Sequence, residues 1–389
     1  MSKKVRLGIV GLGLMGRAHA ANLLSGKVSG LELTAVADTS PENLALVPGV
    51  PSFGTLEAMI ASGLIDAVLI ATPHFLHTPL GIAALGAGLH VLVEKPVSVH
   101  KADAELLIAA HTRRDRVFGA VFNQRTDPYY IQLRQLIRDG GLGEVRRVNW
   151  TITNWFRTEH YYASGSWRAT WAGEGGGILL NQCPHNLDLL QWLFGMPKSV
   201  RAFCNFGRYH DIEVEDDVTA YLEFPNGATG VFIASTGEAP GTHRLEVVGE
   251  RGRVLLENDR LVFTRNETAM SEFSRTATSS FSLPATTEAV LTPSDHGEQH
   301  LGILRNFAAA ILEGTPLVAL AAEGVRSVEL ANAMLLSAWT DRTIALPLDA
   351  VAYGRALQRK IAASRPKSRA RPAAARPGPS PASRPAPRP

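Results

Sequence analysis

The sequence predicts a two-domain chain: an α/β Rossmann domain with a doubly wound parallel sheet, then an α+β domain with a mostly antiparallel open sheet. Three observations carry that prediction. Short apolar runs alternate with helical patterns over the first 122 residues. A G-x-G-x-x-G turn joins the first such run to the first helical pattern. After about residue 124 the strands become half-polar and begin to follow one another directly.

The first domain, residues 1–123, takes its strands from "VRLGIV" (5–10), "LELTAVAD" (31–38), "DAVLIAT" (66–72), "HVLVE" (90–94) and "VFGAVFN" (117–123). Nearly continuous apolar runs suit strands covered on both faces, as in a parallel sheet. Helical patterns near 15–25, 55–62, 79–87 and 100–114 supply right-handed crossovers. In the second domain, 124–350, "PYYIQLRQLIRDG" (128–140) reads as an amphipathic helix ending at glycine, and "EVRRVNWTITNWF" (144–156) alternates like a half-exposed strand. The glycine-rich "GEGGG" (173–177) is expected to open a helix running to about Phe194. Strands follow near 199–206, 217–224, 229–236 and 243–256, with "PNG" (225–227) marking a hairpin. Residues 264–294, rich in Ser and Thr, read as a long loop or arm, and helices at 297–313 and 322–340 close the domain.

Composition narrows the class. The chain has 389 residues, 45% hydrophobic and 19% charged, which is ordinary for a globular protein with full cores. No apolar run reaches the roughly 18 residues of a membrane span, and no signal peptide is read at the N-terminus. Two cysteines, Cys183 and Cys204, exclude a disulfide framework and fit a reducing, cytoplasmic setting. The net charge of +3 is a property of the end of the chain. Residues 363–389 hold seven basic residues, no acidic ones and eight of the 23 prolines. The remainder carries 32 basic against 36 acidic residues. This Pro/Arg/Ala-rich tail has almost nothing to bury and is expected to be disordered, with no specific nucleic-acid partner.

The turn "GIVGLGLMGRAHA" (8–20) places Gly11, Gly13 and Gly16 between a strand and a helix, with Asp38 22 residues after Gly16. That context makes it a dinucleotide fingerprint. Gly11 permits the tight turn, Gly13 lets a pyrophosphate approach the backbone, and Gly16 lets helix and strand pack closely. Leu14 and Met15 open the helix, whose free N–H groups attract phosphate. Asp38 is expected to accept hydrogen bonds from the adenosine ribose. A 2′-phosphate there would meet repulsion of roughly 4 kcal/mol per unit charge at about 4 Å and an effective dielectric near 20. NAD is therefore the expected cofactor, with NADP less favoured.

Two further stretches carry chemistry. "VEKPVSV" (93–99) ends a buried strand with Glu94, Lys95 and Pro96. The carboxyl end of such a strand lies on the ligand side of the sheet, so Lys95 is delivered to the cofactor crevice, with Glu94 expected to hold its ammonium. "GGGILLNQCPHNLDLLQWLFG" (175–195) places Asn181, His185 and Asp188 at i, i+4 and i+7, one face of the expected helix. Cys183 reads as a packed thiol, and no metal site is expected because no third ligand accompanies His185 and Asp188.

Taken in order, "GLGLMGRAHA", "ATPHFLH" (71–77), "VEKPVSV" and "GGGILLNQCPHNLDLLQWLFG" resemble the Gfo/Idh/MocA oxidoreductases over roughly residues 4 to 345. The resemblance implies an NAD(P)-binding domain, a second domain whose sheet often pairs subunits (a dimer or tetramer), and hydride transfer at a carbinol of a sugar, glycoside or cyclitol. It implies Lys95 as the catalytic lysine and His185 as the proton-transferring histidine. It also places Thr72, Pro73 and His77 near the nicotinamide. Family members usually carry Asp where this chain has Asn181; an amide cannot take a proton, so His185 is expected to work alone while Asn181 orients substrate. Asn123 and Arg125 follow the last strand of the first domain and could reach the nicotinamide or the substrate. Trp155, Tyr162, Trp167 and Arg168, in "NWFRTEHYYASGSWRATW" (154–171), are candidates to bind a sugar ring, with Asp188 beside them. Two alternatives stand: an NAD-recycling glycosidase that releases aglycone without net NADH, and a non-enzymatic sensor of NAD and sugar.

Overall fold

The structure is a computed structural model that describes residues 4–165 and 167–365. Most of the expected disordered tail, from residue 366 onward, lies outside the described residues. The first sheet has six parallel strands: β1 (Val5–Val10), β2 (Leu31–Ala37), β3 (Ser52–Phe53), β4 (Ala67–Ile70), β5 (His90–Val93) and β6 (Phe118–Ala120). Their spatial order is β3-β2-β1-β4-β5-β6. The order reverses between β1 and β4, which opens a crevice at the carboxyl ends of those strands. β3 is absent from the sequence reading because two residues, one of them exposed, carry no periodicity.

The second sheet has nine strands: β7 (Val145–Ile152), β8 (Ser199–Phe206), β9 (Glu215–Glu223), β10 (Thr229–Ser235), β11 (His243–Gly249), β12 (Gly252–Glu257), β13 (Arg260–Asn266), β14 (Thr286–Val290) and β15 (Ile344–Ala345). Their order is β14-β13-β12-β11-β7-β10-β9-β8-β15, and β7 and β10 form its one parallel pair. The run expected as one strand over 243–256 is a hairpin of β11 and β12. The expected loop over 264–294 contains the end of β13, a helix (Met270–Thr276) and the wholly exposed strand β14.

Two cores result. Leu7, Ile9, Val36, Val68 and Leu92 anchor the first; Trp150, Phe232, Leu187 and Met334 anchor the second. Helix His300–Glu313 returns to the first core with Ile303, Leu304 and Phe307. Helix Ala321–Thr340 serves both, with Val328 in the first core and Leu330 to Leu336 in the second. Lys101 Nζ meets Glu329 Oε1 at 2.8 Å, and the Lys101 N–H donates to Asn332 Oδ1 at 2.9 Å, so that helix is pinned to the first domain. A last helix, Ala350–Ala362, was not read from the sequence; its buried Tyr353 stacks on Trp339 at 5.5 Å. Among the described residues no helix is long and apolar enough to cross a membrane.

Candidate active site

Every turn that follows a β1, β2, β4, β5 or β6 strand carries an expected site residue, because parallel strands end along one edge. Gly11 has φ +88°, which L side chains rarely adopt. A Cβ at Gly16 would stand 1.8 Å from the Gly11 carbonyl oxygen, whereas one at Gly13 would meet nothing within 4 Å. The loop is thus closed against the protein at Gly11 and Gly16 and open to a ligand at Gly13. Leu14, at the first turn of the helix Leu14–Leu24, is 71% exposed. Met15 beside it is half-buried. The Asp38 carboxylate accepts from the Leu12 N–H at 2.6 Å and the Ser40 N–H at 2.8 Å, so it braces the glycine turn at the carboxyl end of β2. The Asn43 side chain also donates to it, a partner that sequence reading missed.

Thr72 Oγ1 and Asn123 Oδ1 are buried with no hydrogen-bond partner among the described residues. Buried polar atoms are ordinarily satisfied, and these two stand just beyond the ends of β4 and β6, Thr72 next to Pro73 in the chain. An open loop at Gly13, a carboxylate at the end of β2 and two orphaned polar atoms fit a bound nicotinamide dinucleotide. The Asn123 amide nitrogen donates to Gln299 Oε1 at 2.7 Å. His77 has another role than the one expected. Its Nδ1 lies 2.7 Å from the Pro96 carbonyl and its Nε2 lies 2.8 Å from the Thr72 carbonyl. Burial pushes its pKa down, so the neutral ring donates to one of these two carbonyls, and both nitrogens face main-chain carbonyls.

Lys95 stands at the end of β5. Its Nζ donates to the Asn181 carbonyl at 2.8 Å, and to no other group among the described residues, which leaves two ammonium donors. Burial lowers its pKa, while the charges of Glu94 and Glu174 oppose that shift. Glu94 does not hold the ammonium by a hydrogen bond. Its Oε1 pairs with His19 Nε2 at 2.7 Å, and its Oε2 accepts from the Lys95 main-chain N–H at 3.1 Å. Burial alone would raise the Glu94 carboxyl, but His19 and Lys95 outweigh it and hold it at about 2. His19 lies in the quoted "GRAHA", and His300 packs edge-on to it at 5.6 Å. Neither was singled out from the sequence.

The expected helix face of Asn181, His185 and Asp188 is corrected. The helix spans Pro184–Phe194, and residues 177–183 form turns. Pro184 sits at the first helical position, where its missing N–H costs nothing; further along a helix its ring would clash with the carbonyl four residues earlier. Glu215 shapes the turns: its carboxylate accepts from the Gly177 N–H at 2.9 Å and the Leu179 N–H at 3.0 Å. Burial pushes Glu215 up to about 7. Asn181 therefore meets the site by its carbonyl, which takes Lys95, and its amide, which donates to the buried Glu174 carboxylate. Its Oδ1 accepts from Tyr161 Oη at 3.4 Å.

His185 is buried, with Nδ1 unpartnered among the described residues and its ring edge-on to Phe122 at 6.4 Å. Burial, then the Lys95 charge, pushes its pKa well below the ordinary histidine value, which keeps the ring neutral. Cys183 is buried and its thiol pKa raised, in keeping with a packed residue.

Asp188 and Arg125 are corrected from substrate ligands to partners of one another. Arg125 Nε and Nη2 meet Asp188 Oδ2 and Oδ1 at 2.7 and 2.6 Å, both side chains are 1% exposed, and Arg125 also pairs with Glu323. Tyr162 is a core residue: it is buried, its hydroxyl donates to Thr236 Oγ1 at 2.8 Å, and its ring lies 4.7 Å from His210. Its neighbour Tyr161 takes the place expected for it. Arg168 Nη1 donates to Tyr161 Oη at 2.9 Å, with its guanidinium 4.6 Å over the Tyr161 ring and 4.7 Å over that of Trp167. Trp167 lies edge-on to His74 at 5.7 Å. Trp155 packs half-buried on the second core beneath Arg157, with Nε1 unpartnered among the described residues. Lys95, His185, Asn181, Trp167 and Arg168 are thus brought into one region. Sequence reading missed His74, Tyr161 and Glu174 there.

Comparison with known proteins finds relatives over both domains. Residues 5–122 match the model of an oxidoreductase family with an NAD-binding Rossmann fold, and residues 130–255 match the GFO/IDH/MocA C-terminal domain. An inositol 2-dehydrogenase of Rhizobium meliloti is 28% identical over 359 residues, which is 88% of this chain and 99% of that protein. A scyllo-inositol 2-dehydrogenase (NADP(+)) of Bacillus subtilis is 26% identical, over 88% of this chain and 96% of that protein. The WlbA dehydrogenase of Chromobactrium violaceum, solved with NADH and UDP-GlcNAcA, superposes with a TM-score of 0.77 at 28% identity, over 90% of this chain and 98% of that one. Matched in both its domains, the chain belongs to the Gfo/Idh/MocA oxidoreductase family.

Proposed function

We propose that the protein oxidises a secondary alcohol of a sugar or cyclitol, using NAD in preference to NADP, with Lys95 and His185 as its catalytic residues. The observation that carries this reading is a lysine ammonium whose charge reaches a buried histidine held neutral by its surroundings, at the sheet edge that also carries an open dinucleotide turn. Dehydrogenases of inositol and of a UDP-linked sugar among its relatives support the substrate class. The nicotinamide, when bound, supplies the two-electron acceptor. Main-chain N–H groups of the glycine turn would hold its pyrophosphate, Asp38 its ribose, and Thr72 and Asn123 its nicotinamide end. His185 takes the proton of the substrate hydroxyl at a ring nitrogen. Lys95 faces the oxygen as it loses that proton; at about 4 Å an ammonium is worth roughly 4 kcal/mol there, or about three decades of rate. Trp167, Arg168 and Tyr161 offer aromatic faces and donors to the ring. Exposed Phe203 and Tyr221 on β8 and β9 support pairing of copies through the outer face of the second sheet.

Cofactor choice tests the reading of Asp38. NAD is expected to bind at least about tenfold more tightly than NADP by calorimetry, from like-charge repulsion at the carboxylate. Asp38→Ala is expected to narrow that gap and to weaken NAD itself, because Leu12 and Ser40 lose their acceptor. Equal dissociation constants in the unaltered protein would contradict the assignment.

The pH–rate profile tests His185. The active form is the neutral ring, so activity falls as pH drops through its depressed pKa; the acid limb is expected below the ordinary histidine value. Lys95 must be protonated, so the alkaline limb is expected below the ordinary lysine value. His185→Ala is expected to lose the acid limb, and an acid limb at or above the ordinary histidine value would contradict a buried base.

A further inference from the structure

Position 181 carries an amide, yet the site does not lack a carboxylate. Glu174 comes from the turn "GEGGG", is 2% exposed, and has both carboxylate oxygens engaged. Oε2 accepts from the Ala169 N–H at 2.6 Å, and Oε1 accepts from the Asn181 amide. The carbonyl of that same Asn181 holds the Lys95 ammonium at 2.8 Å. Three residues from three segments thus form a chain: carboxylate, amide residue, ammonium.

We propose that Glu174 is the positioning residue of the catalytic lysine: it fixes Asn181 by its amide, and thereby the carbonyl that holds Lys95, supplying from position 174 the charge that position 181 does not carry. This inference rests on the assignment of Lys95 as catalytic. Glu174 is buried and both its oxygens are used within the protein, so it acts through Asn181 and does not exchange protons with substrate. Its charge also reaches Lys95, where it opposes the loss of the proton that burial favours. The other charged groups around the ammonium are Glu94, which acts in the same sense, and Arg168, which acts against it. His74, His77, His185 and His300 also lie within its field, each with its pKa lowered. On Glu174 itself burial raises the pKa, while the Ala169 N–H, Asn181, Arg168 and Lys95 lower it.

The hydrogen-bond count makes the proposal testable by exchange. Glu174→Gln leaves one acceptor oxygen for two donors, the Ala169 N–H and the Asn181 amide, and removes the charge. Asn181→Asp sets two carboxylates against each other. The double change Glu174→Gln with Asn181→Asp restores every bond. The glutamine oxygen accepts from Ala169, and its amide donates to the carboxylate now at position 181, whose second oxygen receives Tyr161. Each single variant is expected to lose at least about tenfold in kcat with the KM for NAD within a few fold. The double variant is expected to return to within a few fold of the unaltered enzyme. A double variant as impaired as the product of the two singles, or a Glu174→Gln enzyme within twofold of normal, would overturn the proposal.

A second readout needs no turnover. Competitive labelling of Lys95 by acetic anhydride across pH reports its protonation directly. Its apparent pKa is expected to fall by about one unit in Glu174→Gln and to recover in the double variant. An unchanged titration would overturn the proposal. If Lys95 responds as expected while no sugar or cyclitol is oxidised by the unaltered protein, the reading of function fails and the positioning role stands. Where Glu174→Gln does not fold, Glu174→Asp takes its place: it keeps the charge and is expected to hold the Lys95 titration near normal, and a fall equal to that expected for Glu174→Gln would overturn the proposal.

Discussion

Lys95→Ala is expected to lose about a thousandfold in turnover while its dissociation constant for NAD stays within a few fold. The magnitude follows from removing a unit charge about 4 Å from an oxygen that becomes negative in the transition state, roughly 4 kcal/mol at an effective dielectric near 20. The separation of the two effects follows from geometry. The glycine turn and Asp38 lie at the ends of β1 and β2, and their bonds to Leu12 and Ser40 do not involve the lysine. Lys95 donates to a single carbonyl among the described residues, so the alanine variant leaves one main-chain acceptor unpaired. Pre-steady-state turnover at saturating NAD, with calorimetry for binding, separates the two quantities. Activity within tenfold of normal would remove Lys95 from the mechanism.

Arg125→Met is expected to cost about 3–5 kcal/mol of folding stability, the penalty for leaving a buried charge unpaired. Both members of the Arg125–Asp188 pair are 1% exposed, and Gln191 also donates to Asp188 at 3.0 Å. The pair joins the turn after β6 to the helix that carries His185, and the Val318 carbonyl takes a further Arg125 donor at 3.1 Å. Burial would lower the arginine pKa, but the Asp188 and Glu323 charges outweigh it and raise it. Replacing both members, Arg125→Met with Asp188→Leu, is expected to recover at least half of the loss, because it removes the fully buried orphaned charge and leaves only the part-exposed Glu323 without its partner. Denaturant midpoints of the three proteins measure this. A single variant as stable as the unaltered protein would mean that Arg125 is free to serve the substrate after all.

That pair shows where sequence reading ends. Arg125 and Asp188 are 63 positions apart, and each alone looks like a polar residue near a site. Only the fold reveals that they consume one another. The same holds for Glu94 and His19, 75 positions apart, where the neighbour in sequence, Lys95, was the obvious partner and the wrong one. The parallel sheet was legible because covered strands leave long apolar runs, and the turn was legible because a left-handed Gly11, a close approach at Gly16 and room for a ligand at Gly13 each favour glycine. The helix start was legible in principle: Pro184 marks the first helical turn, yet the apolar spacing from Gly175 onward masked it. Glu174 left no such signal, since a single glutamate among glycines reads as a solvated turn.

Net oxidation of a sugar or cyclitol hydroxyl is the reaction proposed for this site. The most direct measurement supplies the unaltered protein with NAD and a panel of inositols, free sugars, nucleotide-linked sugars and glycosides, and follows the absorbance of NADH with product analysis on the same samples. NADH is expected in equal amount to a keto product with at least one member, with no such signal from Lys95→Ala and no aglycone released ahead of NADH. Release of aglycone with no net NADH, or a keto product formed equally by Lys95→Ala, would contradict it.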